Sequence, residues 1–164
     1  MAIPAQAFGE IYPKDLRPGS IFKFRSNWAM LVTNEDGSTL DFLMLGGEHA
    51  GQLFNVTPGM PKCLGVIPPF TWFPALEEGS GASHTEHQST TLTLTPGGPV
   101  IIGANKDGFD PEYFAFRLDG VVDQDYQPYG IGLRFSDWTI ELQHPDKPFE
   151  SMGRLFSVKA VQDR

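Results

Sequence analysis

The densest metal-ligand chemistry in this chain is His84-Thr85-Glu86-His87, in which two imidazoles flank a carboxylate. That is a donor set divalent transition metals accept. On an extended strand His84 and His87 point to opposite faces, so joint coordination needs a turn, which the glycine-rich residues 79–83 permit. A zinc centre usually recruits a further protein ligand, and Glu48, His49 and His144 are available elsewhere. The spacing is weak evidence, since a solvated loop carries the same residues without a metal. The expectation is no cofactor, with a divalent metal at His84, Glu86 and His87 as the alternative.

A second cluster is carboxylate-rich. Asn105, Asp107, Asp110 and Glu112 surround Gly108, and Asp119, Asp123 and Asp125 follow. Hard cations take such ligands from loops, but the EF-hand spacing fails because Gly103 stands where the first acidic ligand belongs. The same acids serve turns, as Asp119-Gly120 does. They also make a negative surface that a basic macromolecular partner can read through field complementarity. Asp107, Asp110, Asp123 and Asp125 are the partner-binding candidates from this segment.

The third candidate is Pro68-Pro69-Phe70-Thr71-Trp72-Phe73-Pro74. Rigid aromatic side chains among prolines either anchor an interface or cap the open end of a core. Phe70, Trp72 and Phe73 therefore join the acids as expected partner contacts. Nucleophilic chemistry has little support. Cys63 has no local activating motif and reads as a buried thiol, and there is no Gly-x-Ser-x-Gly elbow or phosphate-binding glycine loop.

These residues must be held by 164 residues of which 40% are hydrophobic, enough for one domain with its own core. The net charge is −8. Its distribution is uneven: residues 106–130 hold six acids against two bases, while residues 1–25 carry a local surplus of bases. So few cations argue against direct duplex nucleic-acid binding. One cysteine allows no intrachain disulfide, the first nine residues lack the pattern of a secretory signal, and no apolar run suits a membrane helix. The expected place is the cytoplasm, in a host or an infected cell.

Eighteen glycines and 14 prolines break the chain into short elements. Residues 91–95 alternate Thr and Leu, the period of a half-buried strand. Asp36-Gly37 and Asp119-Gly120 each separate two apolar runs and predict hairpin turns, and Pro96-Gly97-Gly98-Pro99 turns residues 91–95 toward the apolar run 100–102. Residues 131–135 and 138–143 flank Ser136-Asp137 with symmetric apolar positions, which predicts a hairpin pairing Phe135 with Trp138. Residues 20–36 lack Gly and Pro and admit a helix, but Phe22 and Phe24 alternate with Lys23 and Arg25, a strand period.

The expected fold is all-β: one antiparallel β-sandwich or barrel over residues 1–164, of about ten to twelve short strands, with little helix and an irregular extension over residues 1–19. Two functional readings follow. The first is a non-catalytic acidic binding protein of the immunity, inhibitor or phage-accessory type, engaging a protein partner, with a homodimer through the aromatic loop as a variant. The alternative is a β-barrel that binds a small ligand or metal through the His84/His87 loop, with Trp72 and Trp138 walling the cavity, a reading that admits an enzyme.

Overall fold

The computed structural model describes residues 2–76, 82–83, 88–127 and 132–162. It is all-β, with 56% of residues in strands and no α-helix among those described. Two single 3-10 turns, Ala5–Ala7 and Pro13–Asp15, are the only helical pieces described. Among the described residues no helix is long and apolar enough to cross a membrane.

A six-stranded antiparallel sheet comes mostly from the first third of the chain. Its spatial order is β1 (Phe8–Ile11), β6 (Cys63–Val66), β2 (Ile21–Phe24), β3 (Asn27–Thr33), β4 (Leu40–Met44) and β5 (Leu53–Asn55). A five-stranded sheet follows in the order β12 (Glu112–Arg117), β11 (Gly98–Asn105), β10 (Leu92–Thr95), β13 (Leu133–Phe135) and β8 (Ala82–Ser83). The third sheet holds β15 (Lys147–Lys159), β14 (Asp137–His144) and β7 (Thr71–Leu76). A short ladder joins β9 (Gln88–Ser89) to β16 (Val161–Gln162).

The turn chemistry works as the sequence predicts. Gly37 and Gly120 take φ of +71° and +80°, and Pro96-Gly97 is the two-residue turn between Thr95 and its partner Gly98. Asp119 fixes its turn by accepting a hydrogen bond from the Val121 amide at 3.0 Å through Oδ1. Gly120 has a second reason to lack a side chain, because a Cβ there would lie 2.2 Å from the Gly19 nitrogen and 2.5 Å from the Leu31 oxygen. The helix alternative over residues 20–36 gives way to the β2–β3 hairpin, turned by Arg25 and Ser26, both at positive φ.

Three expectations are corrected. The first 19 residues are not wholly irregular, because β1 pairs with β6 along the edge of the six-stranded sheet. The Thr-Leu alternation of 91–95 does not mean one wet face: Thr91, Leu92 and Thr93 are all buried, Thr95 is half-buried and Leu94 is exposed. The predicted hairpin across Ser136-Asp137 is absent. β13 pairs with β10 and β8, whereas β14 pairs with β15 and β7 in another sheet. Local symmetry favoured a hairpin, but longer partners won: β14 pairs over eight residues with β15, and Trp138, Ile140 and Leu142 become fully buried while Leu133 stays 56% exposed.

One core joins the three sheets. Met30, Val32, Leu43 and Leu45 of the first sheet region pack with Ile101 and Phe116 of the second and with Trp138, Ile140 and Leu142 of the third. The other face of the six-stranded sheet carries a second cluster, Leu16, Phe22, Ala29, Leu31, Phe42 and Met44. Both faces of β3 and β4 are therefore apolar, and strict parity assigns each side chain to one cluster or the other.

Candidate binding site

That parity exposes an inconsistency in β4. Leu43 and Leu45 point into the main core, and Asp41, two residues earlier, shares their side of the strand. Its register partners are Val32 on β3 and Asn55 on β5. On the opposing sheet Phe114 and Phe116 of β12 pack toward the same core, and Asn105 of β11 has the parity of Ile101. At Gly103, between them, a Cβ would lie 2.8 Å from Leu43 Cδ1, so the missing side chain lets the two sheets approach.

Beyond that approach the sheets part around a cleft of about 460 Å³. Val32, Leu53, Phe114, Phe116 and Val122 supply its apolar wall, while Asp41, Gln52, Asn55, Asn105, Lys106 and Asp107 bring polar groups to it. Isolated parallel bridges, Thr33 with Val121 and Gln52 with Ala104, tie the two sheets together at residues that line or adjoin it. Their backbone bonds are short: Thr33 N–H to Gly120 O at 2.8 Å, Val122 N–H to Thr33 O at 3.0 Å, and Ala104 N–H to Gly51 O at 2.8 Å. The cleft is thus held open by paired backbone rather than by side chains alone.

Asp41 is the chemically exceptional group. Its Oδ1 is buried and has no hydrogen-bond partner. Burial alone pushes its carboxyl above the ordinary value of 3.8. Thr93 Oγ1 and Glu141 Oε2 are the other unpartnered buried side-chain atoms among the described residues. A lone hydroxyl is a smaller desolvation cost than a carboxylate, and Glu141 Oε2 has Arg154 Nε at 3.7 Å. Sequence reading passed over Asp41, although a carboxylate in register with two core leucines is a visible signal.

The sequence-predicted residues fall in different places. Asp107 lines the cleft, its amide donating to Asn105 Oδ1 at 3.1 Å, and Asp110 is exposed on the same loop. Between them Phe109 is fully exposed. Asp123 lines a separate cleft of about 720 Å³ on the outer face of the five-stranded sheet, with Tyr113, Tyr126 and Arg134. Asp123 Oδ1 accepts from the Asp125 amide at 3.0 Å, and both acids border a neighbouring hollow with Arg117. The clefts of about 460 and 720 Å³ share Asn34, Phe114 and Val122, so the four acids distribute around β12.

The aromatic segment belongs elsewhere. Trp72 is only 8% exposed and donates Nε1–H to Gly19 O at 2.7 Å, the geometry of a core cap. Phe70 is half-buried against the main core, and Phe73 meets Phe149 edge-on with centroids 6.1 Å apart. None of the three lines the clefts that hold the acids. Trp138 is likewise fully buried, donating to Thr90 O at 2.8 Å, and walls no cleft described here.

His84, Glu86 and His87 lie outside the described residues. Among those described, no three His, Cys, Asp or Glu side chains come together as a metal site. Cys63 is partly buried, donates its thiol to Ile11 O at 3.2 Å and has its pKa raised by burial, the opposite of an activated nucleophile.

What this geometry defines is an all-β scaffold with an inward carboxylate at a sheet seam and an acidic loop beside it. Compared with family models, curated proteins and solved structures, the chain matches none of them.

Proposed function

We propose that this is a non-catalytic binding protein that engages a basic protein partner through the loop 106–111 and the acids that flank β12. The observation that carries the reading is Phe109. A wholly exposed phenylalanine between Asp107 and Asp110 combines an apolar anchor with the charge that steers a basic surface onto it. Burying such a ring on a partner gains about 2 kcal/mol, and the acids contribute mainly association rate and orientation.

Asp123 and Asp125 extend the negative field along the outer cleft. Duplex nucleic acid is disfavoured as the partner because its phosphates meet like charge. A second copy docking loop to loop meets the same repulsion, which favours a different protein over a homodimer. The reading places the encounter in the cytoplasm, where the single Cys63 stays reduced.

The test uses a ten-residue Lys/Arg peptide carrying one central Leu, titrated into 15N-labelled protein at low salt. Amide shifts should concentrate in residues 105–126. Reversing Asp107, Asp110, Asp123 and Asp125 to Lys should weaken binding more than tenfold, and Phe109→Ser alone should weaken it about thirtyfold. A control reversing Glu10, Glu35, Glu48 and Glu150, all exposed, changes net charge equally. Equal losses in the control and the loop variant would mean that only net charge is being read, and the proposal fails.

A further inference from the structure

We infer that the cleft at the seam of the six- and five-stranded sheets is a binding site for a small, neutral, polyhydroxylated molecule of sugar size, with Asp41 as its principal acceptor. The inference does not rest on the partner-binding role of the acidic loop.

The size is suitable, since 460 Å³ lies within the range of small-molecule sites. So is the position: the cleft sits between two inner sheet faces whose spacing is fixed by backbone bridges on both sides. A preformed cleft spares the ligand the ordering cost that a mobile loop would impose.

Charge and donor chemistry together set the ligand class. An anionic ligand meets two carboxylates, Asp41 and Asp107. A simple cation gains from those carboxylates but leaves the amide groups and the apolar wall of the cleft unused. A neutral polyol meets no like charge, and its hydroxyls both donate and accept. Asp41 lines the cleft, and its carboxylate can accept a charge-assisted hydrogen bond from a ligand hydroxyl. Asn55, the direct register partner of Asp41, and Asn105 across the cleft present amide groups that can satisfy neighbouring hydroxyls. Phe114, half-buried at the cleft, supplies an apolar surface for the C–H face of a sugar ring, with Phe116 buried behind it.

Asp41 is otherwise hard to account for. A carboxylate on the core side of a strand, in register with Val32, costs stability in the absence of a ligand. An Asn or Thr would fill the position at lower cost. A polar group retained at a loss of stability, in a cleft, with other hydrogen-bonding groups converging on it, is the signature of a site rather than of a scaffold.

The experiment is titration of the 15N-labelled protein with D-glucose, D-galactose, D-mannose and N-acetyl-D-glucosamine, each to about 50 mM, the range in which millimolar binders saturate. At least one should shift the backbone amides of residues 41, 55 and 105 in a saturable way. Asp41→Asn keeps the volume and should weaken that binding about tenfold or more, and Asn55→Ala should weaken it less. The reversal Glu10→Lys with Glu150→Lys, both exposed and outside this cleft, should leave it unchanged. No saturable shift with any of the four sugars overturns the inference. So does binding that Asp41→Asn leaves intact, or a response at these amides to choline but to no sugar.

Discussion

The two ends of the main core solve the same problem differently. Around Trp138 and Trp72 the two indole nitrogens and the Thr90 hydroxyl each meet a backbone partner. The Trp138 indole donates to Thr90 O at 2.8 Å, the Trp72 indole to Gly19 O at 2.7 Å, and the Thr90 hydroxyl to Lys159 O at 2.7 Å. At the seam beside β4, Asp41 enters the interior and meets none. The first region is built for stability, with large rings whose single polar atoms are satisfied. The second gives up stability to keep an acceptor available. Function is easier to find at the second, because a group that costs stability needs another reason to be there.

The largest test of this contrast is Trp138→Ala. It removes a fully buried ring and leaves Thr90 O without its donor, so denaturant unfolding should show a loss of about 4 kcal/mol. A loss near 1 kcal/mol would mean that this end of the core is loosely packed and the contrast is not real. Trp72→Phe is subtler: most of the buried ring survives but the bond to Gly19 O is lost, for a cost of about 1–2 kcal/mol.

The smallest effect has the opposite sign. Asp41→Asn should stabilise the protein at pH 7, by about 1 kcal/mol or less because the group is only partly buried. The pH dependence follows from the direction of its shift. Folding raises the Asp41 pKa above 3.8, so the folded state holds the proton more tightly than the unfolded chain. Its contribution is therefore full below the unfolded value and is lost as pH rises through the folded one. The advantage of the Asn variant should shrink toward zero as pH falls below the ordinary value of 3.8. A variant that is less stable at pH 7 would show that Asp41 has a partner holding it ionised.

Much of this architecture is legible in the sequence because it is encoded locally. Asp36-Gly37, Pro96-Gly97 and Asp119-Gly120 carry their turns in their own backbone preferences, and the two-residue period of Phe22 and Phe24 marks β2 without reference to anything distant. The acids of residues 106–125 are visible as a charge run, but that Phe109 stands wholly exposed among them is not. What was illegible is which long-range partner each strand takes. Residues 131–143 look like a hairpin when read alone, yet β13 and β14 separate into different sheets because β15 and β7 offer β14 longer ladders.

By itself, then, the sequence determined an all-β chain with short strands, tight turns and a negative middle, since these depend on neighbours along the chain. Tertiary structure decided that Trp72 caps the core rather than facing a partner, and that Asp41, unremarked between Leu40 and Phe42, points inward at the seam of two sheets. The physical reason is the two-residue period of a strand. It fixes which residues share a face, but only the packing of one sheet on another decides which face is the interior and where that interior stays open.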